Sequence, residues 1–280
     1  MGSSRLPGKV LLDIAGQPML VHVVERTRRA ETVAEVVVAT TQDPADDPIE
    51  ALCHTRGYAC FRGSTFDVLD RYYQAARFSK AEIIVRVTAD CPVIDPQVID
   101  ETVYGLLGSR EIPDDLSLVR YDFTANRLPP PWSRTYPIGL DTEVCIFPAL
   151  ERAWREAVEI FHREHVMPYL YDHSSVVDSR LASAPDFRPP SPGPAGFRVL
   201  QLHHTPDYGS LRWTVDTLED LHLMREIFAR FHGRNDFSWL EVLDLFQGEP
   251  ELATINLNVK HKSVHEIDNR ADKPDHLGNR

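Results

Sequence analysis

Long apolar runs and closely spaced cysteines are both missing from this sequence of 280 residues. No stretch approaches the roughly 18 consecutive apolar residues of a membrane span, and the first residues lack the basic-then-apolar order of a signal peptide. We therefore expect a cytoplasmic protein with no membrane partner. The four cysteines, Cys53, Cys60, Cys91 and Cys145, form no CxxC pair, so the sequence indicates neither a zinc site nor a disulfide framework.

Basic residues are also scarce, because 30 Lys and Arg stand against 42 Asp and Glu, which gives a formal net charge of −12. Proteins that coat nucleic acid bind its phosphates through clustered Lys and Arg, so we expect no nucleic-acid partner. Neither GxxxxGK[ST] nor GxGxxG occurs, which argues against a P-loop nucleotidase and a dinucleotide oxidoreductase. A local basic pocket for a small anion is still compatible with this composition.

Strand-like and helix-like segments alternate in the first third of the chain. Residues 35–40 and 82–87 are apolar, β-branched runs typical of buried strands, and residues 17–30, 49–57 and 66–78 have helical patterns. This alternation predicts an α/β protein with a doubly wound, mostly parallel, Rossmann-like sheet. Ligands of such sheets bind beyond the carboxyl ends of the strands, so we expect a site after residue 87.

The rest of the chain repeats these patterns less regularly. We predict strands at residues 139–147 and 197–202, and helices at residues 151–173, 218–231 and 238–245. No second hydrophobic pattern demands a separate domain. We therefore predict one domain over residues 1–258, followed by a polar and flexible tail over residues 259–280.

The opening of the chain has the composition of a phosphate cradle. Gly2, Ser3 and Ser4 are small residues whose backbone amides can approach an anion closely, and Arg5 and Lys9 add two cations four residues apart. The alternative is a flexible terminus without function, and composition alone favours that alternative.

Two aspartates follow apolar runs that we predict to be strands. Asp90 comes two residues after Thr88, and Asp216 ends the run Arg212-Trp213-Thr214-Val215. Carboxylates at the ends of strands face the ligand crevice and can hold a hard cation such as Mg²⁺. Each aspartate could instead cap a turn or a helix. Together with the phosphate cradle, the two carboxylates predict a site for Mg²⁺ that bridges a triphosphate.

Several short motifs occur in a fixed order along residues 2–258. They are Arg5-Leu6-Pro7-Gly8-Lys9, Ala39-Thr40-Thr41, Phe61-Arg62-Gly63-Ser64, Asp67-Val68-Leu69-Asp70-Arg71-Tyr72-Tyr73, Thr88-Ala89-Asp90-Cys91-Pro92 and Trp213-Thr214-Val215-Asp216-Thr217. In this order they resemble the cytidylyltransferase family. The branch most similar to them is the spore-coat polysaccharide biosynthesis protein F type, which is related to the synthetases that activate 3-deoxy-manno-octulosonate and N-acylneuraminate as CMP-sugars.

The resemblance implies a sheet of the nucleotide-sugar transferase type and an enzyme of polysaccharide or glycan biosynthesis. Such an enzyme transfers CMP from CTP to an acidic sugar or similar acceptor, needs Mg²⁺ and releases pyrophosphate. The resemblance also implies a homodimer. Its metal ligands would be Asp90 and Asp216, and its catalytic residues would be these two aspartates together with Arg5 and Lys9.

The same resemblance assigns binding residues on both sides of the reacting phosphate. The residues implied for the nucleotide are Gly2, Ser3, Ser4, Arg5, Lys9, Arg62, Gly63, Ser64 and Arg71. The residues implied for the acceptor are Arg134, Tyr136, Asp141 and Glu143, where the cation of Arg134 suits a carboxylate or phosphate.

One departure from the family pattern concerns the start of the chain. Family members have an apolar strand immediately before the position of Met1, and that strand is usually central to the sheet. This sequence starts without it. We therefore expect exposed strand edges and weaker phosphate binding, which puts activity in question.

Two alternative functions stay open at this point. The chain could bind a nucleotide without catalysis, in which case CTP would bind but no pyrophosphate would be released. It could also be a glycosyltransferase that uses a preformed nucleotide sugar, in which case nucleotide diphosphate sugars would bind in preference to CTP.

Overall fold

The structure, a computed structural model, describes residues 1–3, 5–110, 120–172, 174–182 and 196–260. Ser4 and residues 261–280 of the predicted tail lie outside the described residues. Within the described ranges, no helix is both long and apolar enough to cross a membrane.

Helices and strands alternate along the chain. The strands are β1 (Asp13–Ile14), β2 (Gln17–Pro18), β3 (Val37–Thr41), β4 (Ala59–Gly63), β5 (Ile83–Arg86), β6 (Phe123–Ala125), β7 (Glu143–Ile146), β8 (Val176–Asp178) and β9 (Val199–Gln201). The helices are α1 (Met19–Thr27), α2 (Asp47–Arg56), α3 (Val68–Ser79), α4 (Pro96–Leu107), α5 (Phe147–Glu156), α6 (Ile160–His165), α7 (Pro168–Tyr171), α8 (Ser179–Ala182), α9 (Leu218–Arg230) and α10 (Trp239–Gly248).

Local sequence accounts for several helix boundaries. The side chain of Asp67 accepts a hydrogen bond from the Asp70 N–H and begins α3. Thr217 and Asp220 form a capping box at the start of α9. Gly57 ends α2 in the left-handed conformation, with φ 66, as its position after the helical pattern predicts.

The sheet is built in separate pieces. β1 and β2 form an antiparallel hairpin, and β3 pairs in parallel with β4. Another five strands have the order β5-β7-β6-β9-β8. In that piece β6, β9 and β8 are parallel, whereas β7 is antiparallel to β5 and to β6. The α/β class is therefore as predicted, but the prediction of a mostly parallel sheet holds only in part, because β7 runs against both of its neighbours.

The sheet is interrupted between β3 and β5. Within the described chain, β3 pairs only with β4, and β5 pairs only with β7. A cavity of about 650 Å³ lies between the two strands. Among the described residues, each of these two strands thus has one edge without a strand partner.

The single helix predicted over residues 151–173 is wrong. The structure divides this region among the end of α5, α6 and α7. α5 ends at Glu156, before Ala157 with ψ 117, and α6 ends at His165, before Val166 with φ 74. Pro168 then begins α7, because proline suits the first turn of a helix but lacks the N–H needed inside one.

The prediction that Asp216 ends a strand is also wrong. The only ladder contact of its segment with another described residue is an isolated parallel bridge between Arg212 and Ile138. The Trp213 N–H donates to the Ile138 carbonyl at 2.6 Å, whereas the Val215 N–H donates to the Asp90 carbonyl at 2.8 Å. Because the backbone bonds to two different loops, it forms no ladder, and the second bond draws Asp216 towards Asp90.

A large hydrophobic cluster packs against both the N-terminal loop and the segment that carries Asp216. It contains the fully buried side chains of Trp213, Phe228 and Val215, and Leu6 and Val10 of the opening segment pack against it. The N-terminal loop and the segment that carries Asp216 therefore share one core.

Gly139 permits the close approach between residues 138–140 and Trp213. Its φ is 110, and a Cβ on Gly139 would lie 2.6 Å from the carbonyl carbon and oxygen of Trp213. We expect Gly139→Ala to lower the free energy of unfolding by about 2–4 kcal/mol through strain and overlap, measured by urea denaturation. Gly248→Ala is the control, because a Cβ there meets no atom within 4 Å. An unchanged midpoint for Gly139→Ala would contradict this account of the contact.

Candidate active site

The ammonium group of Lys9 lies between the two aspartates singled out in the sequence. Its Nζ donates to Asp90 Oδ2 at 2.7 Å, to Asp216 Oδ1 at 2.8 Å and to the Val215 carbonyl at 2.7 Å. Residues that are 81 and 207 positions apart thus meet at one cation. The three acceptors are all oxygen atoms, and all three surround the position of Lys9 Nζ.

Local contacts hold each of these groups in place. Gly8, with φ 70, turns the chain into the short 3₁₀ helix Lys9–Leu11 and so directs Lys9 inwards. The Thr88 hydroxyl donates to Asp90 Oδ1 at 2.6 Å and leaves the other oxygen of that carboxylate for Lys9. The loop after β5 therefore fixes the orientation of Asp90. This loop follows the carboxyl end of the strand, where ligands of such sheets bind.

Asp216 is surrounded by cations. Besides Lys9, its carboxylate contacts Arg5 at 2.8 Å and Arg212 at 2.7 Å. Burial by itself raises the pKa of Asp216, but the charge and hydrogen bond of Lys9, together with Arg212 and Arg5, lower this pKa to about 2. Burial also lowers the pKa of Lys9, yet the carboxylates of Asp90 and Asp216 outweigh it and raise that pKa. Both groups are therefore charged at neutral pH.

Arg212 and Asp220 also belong to this site, although the sequence motifs did not indicate a role for them. The Arg212 guanidinium contacts both Asp216 and Asp220, and Asp220 is fully buried. Asp220 also accepts hydrogen bonds from the backbone N–H groups of Asp216 and Thr217. A signal for this role was present, since Thr217-x-x-Asp220 is a capping-box pattern that fixes the chain directly after Asp216.

The oxygen atoms around Lys9 suit a hard divalent cation. Carboxylates and backbone carbonyls are the ligands that Mg²⁺ takes from proteins, usually one or two carboxylates with substrate phosphates. Among the described residues there is no group of three or more His, Cys, Asp and Glu side chains that could hold a metal. Asp90 and Asp216 alone would thus hold the ion incompletely, and other ligands would have to come from substrate or water.

Two of the residues expected to bind the nucleotide, Gly2 and Arg71, line a second cavity of about 530 Å³ together with the end of β3. One guanidinium nitrogen of Arg71 donates to the Ser64 carbonyl at 2.6 Å, while its Nε is buried and has no hydrogen-bond partner in the described chain. A cation with an unused donor at a cavity wall is suited to an anionic or polar ligand.

The other nucleotide residues have mainly local contacts. Ser3 Oγ accepts from the Leu6 N–H at 3.3 Å, and the Gly63 carbonyl accepts from the Gln42 N–H at 3.0 Å. Arg62 forms ion pairs with Asp47 and Glu50 of α2 and does not line the 530 Å³ cavity. The structure therefore brings Arg71 and Gly2 together, but it holds Arg62 against α2.

The residues expected to bind the acceptor are already paired within the protein. Arg134 donates two hydrogen bonds to Asp141, at 2.5 and 2.8 Å. Tyr136 is buried, and its hydroxyl donates to Glu101 of α4 at 3.3 Å. An acceptor anion would thus have to share Arg134 with Asp141.

Glu143, the last of these residues, forms an ion pair with Arg86, a residue for which the sequence motifs did not indicate a role. The antiparallel register of β5 and β7 places these two residues opposite each other. Burial alone lowers the pKa of Arg86, but the Glu143 carboxylate raises it above its ordinary value. The available signal was a cation inside the apolar run of β5, where an unpaired charge is costly.

Cys91 is a buried residue next to Asp90. Burial raises the pKa of its thiol, and the carboxylates of Asp90 and Asp141 raise it further. The thiol is therefore protonated at neutral pH.

An α/β fold with two carboxylates and several cations gathered beyond the end of β5 suits an enzyme that acts on a nucleotide. Comparison with known proteins identifies the branch, because a family model described as cytidylyltransferase matches residues 1–208. The chain belongs to the cytidylyltransferase family, as the sequence motifs predict.

Relatives of full length support this membership. The chain is 32% identical to an uncharacterized protein of Methanocaldococcus jannaschii, over 95% of each chain. It is 29% identical to the spore coat polysaccharide biosynthesis protein SpsF of Bacillus subtilis, over 91% of this chain and 93% of that protein. A solved cytidylyltransferase from Leptospira borgpetersenii superposes with a TM-score of 0.75 at 28% identity, covering 93% of this chain and 95% of the other.

Proposed function

We propose that this chain transfers CMP from CTP to an anionic, sugar-like acceptor with Mg²⁺ as cofactor, releases pyrophosphate, and serves polysaccharide or other glycan biosynthesis. The observation that carries the proposal is that the carboxylates of Asp90 and Asp216 both accept hydrogen bonds from the Lys9 ammonium. Membership of the cytidylyltransferase family supports the proposal that the transferred group is CMP. The name of the Bacillus subtilis relative supports a polysaccharide pathway.

The reaction is an in-line displacement. An acceptor hydroxyl oxygen bonds to the α-phosphorus of CTP, the bond from that phosphorus to the bridging oxygen breaks, and the hydroxyl proton passes to water. Mg²⁺ held by Asp90 and Asp216 would neutralise charge on the phosphoryl oxygens. Arg5 and Lys9 would stabilise the leaving pyrophosphate, and the contacts of both cations with Asp216 support this role.

Lys9 connects nucleotide binding with metal binding. Its ammonium takes the position between the carboxylates that a divalent cation would need. Two cations at one position repel each other, so Lys9 has to leave when Mg²⁺ arrives. A triphosphate offers the displaced ammonium a new anionic partner, and we therefore expect Mg²⁺ and CTP to bind together.

The first test compares nucleotides by thermal unfolding. With Mg²⁺ present, CTP at about one hundred times its Kd should stabilise the protein by about 2.7 kcal/mol, whereas ATP, GTP and UTP should have little effect. Pyrophosphate release is then measured with 3-deoxy-manno-octulosonate or N-acylneuraminate as acceptor. The control acceptor is the same sugar with its carboxylate converted to an amide. Equal stabilisation by all four nucleotides would contradict the assignment to CTP.

A further inference from the structure

Asn256 is a buried polar side chain near the end of the described chain. It follows the short 3₁₀ helix Pro250–Thr254, and only 6% of it is exposed. Its neighbour Ile255 packs against the large hydrophobic cluster that contains Trp213 and Leu252. A buried amide costs free energy unless its hydrogen bonds are formed, so the partners of Asn256 indicate its role.

The amide nitrogen of Asn256 donates two hydrogen bonds, and both go to the ion pair of Arg212 with Asp220. Nδ2 lies 2.8 Å from Asp220 Oδ1 and 3.1 Å from the Arg212 carbonyl oxygen. The two partners are 36 and 44 positions away in the sequence. One amide therefore holds the side chain of Asp220 and the main chain of Arg212 in a fixed relation to each other.

The side chain of Asp220 sets the direction of the Arg212 guanidinium. Arg212 Nε donates to Asp220 Oδ1 at 2.9 Å, and Arg212 Nη2 donates to Asp220 Oδ2 at 3.0 Å. Two parallel bonds of this kind fix the plane of a guanidinium as well as its position. The same Nη2 also donates to Asp216 Oδ2 at 2.7 Å. A shift of Asp220 would thus move the group that holds Asp216.

The two oxygens of Asp216 have different partners. Oδ2 accepts from Arg212, whereas Oδ1 accepts from Lys9 at 2.8 Å. A carboxylate that is held at one oxygen presents the other in a fixed direction. Oδ1 is the oxygen at which Mg²⁺ would replace the ammonium of Lys9. A continuous series of hydrogen bonds therefore leads from Asn256 to the oxygen proposed to bind the metal.

The negative charge of Asp220 also matters for the metal site. Asp220 is fully buried, and its carboxylate balances the positive charge that Arg212 brings next to Asp216. Hydrogen bonds to the ionised form of a carboxylate favour that form. The Asn256 amide provides one such bond, and the N–H groups of Asp216 and Thr217 provide two more. With Asp220 ionised, Asp216 keeps its own charge for a cation.

The segment that carries Asn256 also reaches the other side of Asp216. Arg5 Nη1 donates to the Lys260 carbonyl at 3.2 Å, and Arg5 Nη2 lies 2.8 Å from Asp216 Oδ2. Residues 255–260 thus contact both arginines that hold this carboxylate. Their position is part of the architecture of the site.

We propose that Asn256 is a positioning residue for the metal site. Its amide keeps Asp220 and Arg212 in the arrangement that directs Asp216 Oδ1 at the cation position. Asn256 acts through Arg212. The inference rests on the proposed function in one respect, which is the assignment of Asp216 as a metal ligand.

The first experiment measures hydrogen exchange of the Arg212 Nε–H by NMR on the full chain without nucleotide or metal. Asn256→Leu keeps a branched side chain of similar size but removes the amide. We expect this variant to speed the exchange about tenfold or more, because the guanidinium is then held less firmly. Asn258→Leu is the matched control, since Asn258 is an exposed asparagine of the same segment and this substitution should not change the exchange.

The second experiment is isothermal titration of the same variants with Mg²⁺ alone. The Kd for Mg²⁺ should rise about tenfold in Asn256→Leu, because loss of a group that orients a metal ligand weakens metal binding by about 10- to 100-fold. The Kd should be unchanged in Asn258→Leu. In pyrophosphate release, the Mg²⁺ concentration for half-maximal turnover should rise by the same factor as the Kd. A purely structural role would lower the urea midpoint and leave the Kd of the folded variant unchanged.

Three results would overturn the proposal. They are unchanged exchange of the Arg212 Nε–H in Asn256→Leu, an unchanged Kd for Mg²⁺ in that variant, and an equal loss of affinity in Asn258→Leu. Absence of pyrophosphate release from the unaltered chain would refute the proposed reaction, whereas the exchange and the Kd would still establish the role of Asn256.

A measurement on the unaltered chain decides the matter if Asn256→Leu fails to fold. The side-chain amide signals of Asn256 should shift as Mg²⁺ is added, with the Kd found by titration, whereas those of Asn258 should not. Signals of Asn256 that do not respond to Mg²⁺ would show that this residue is not coupled to the metal site.

Discussion

Asp90→Asn is expected to lower the turnover of CMP transfer by about 10³-fold, which is the size of effect that the loss of one charge-stabilising group has in an active site. Asparagine keeps the shape of the side chain, so Thr88 can still hold it through the oxygen at its present position. What is lost is the negative charge that faces the Lys9 ammonium at 2.7 Å. Asp216→Asn should have an equal or larger effect, because that carboxylate also contacts Arg5 and Arg212.

Steady-state pyrophosphate release at saturating CTP and Mg²⁺ measures this effect. Circular dichroism and the urea midpoint establish that each variant is folded. Asp236→Asn is the matched control, since Asp236 is an exposed aspartate that forms an ion pair with Arg234 at the surface, and this substitution should leave turnover unchanged. Turnover within a few-fold of the unaltered chain for Asp90→Asn would rule out a metal-binding role for the pair.

The alternation of strands and helices could be predicted from the sequence because it depends on local periodicity. The runs at β3 and β5 are apolar and β-branched, and both strands lie where the pattern indicates. The direction of β7 could not be predicted in this way. Whether a strand joins a sheet parallel or antiparallel depends on the connection that leads into the strand. The residues of β7 themselves do not indicate that connection.

The candidate site shows the same limit at the level of side chains. Apolar runs that end in Asp90 and Asp216 indicate carboxylates at the edge of the sheet, and the structure brings the two together at Lys9. The contact of Lys9 with both could not be foreseen, because Asp216 reaches it through backbone bonds to two loops rather than through a strand. Long-range pairing decides such contacts, and a single sequence contains only local information.

Charge pairing explains the remaining difference. A cation at Arg134 and a carboxylate at Glu143 could be read from the sequence as groups that face an acceptor. In the structure each has a protein partner, Asp141 and Arg86 respectively. The register of β5 against β7 creates the second pair. Buried charges are rarely left single, so the partner of each charged residue has to be known before its role can be assigned.

Lys9→Met is expected to change metal and nucleotide affinity in opposite directions. Methionine removes the ammonium that lies between Asp90 and Asp216 while it keeps an unbranched side chain of similar length. Without nucleotide, the two carboxylates are then left to repel each other, and Mg²⁺ no longer has to displace a cation. We expect the Kd for Mg²⁺ alone to fall about tenfold, and the Kd for CTP to rise about 10²-fold through the loss of a phosphate contact.

Isothermal titration with Mg²⁺ alone, and then with CTP in the presence of Mg²⁺, separates the two effects. Arg234→Met is the matched control, because it removes a cation from an exposed surface pair and should alter neither affinity. A purely structural role for Lys9 would weaken both affinities together, since the two aspartates would lose their alignment. Tighter binding of Mg²⁺ with weaker binding of CTP is the result that only a displaced ammonium explains, and unchanged or weaker Mg²⁺ binding would mean that Lys9 does not occupy the metal position.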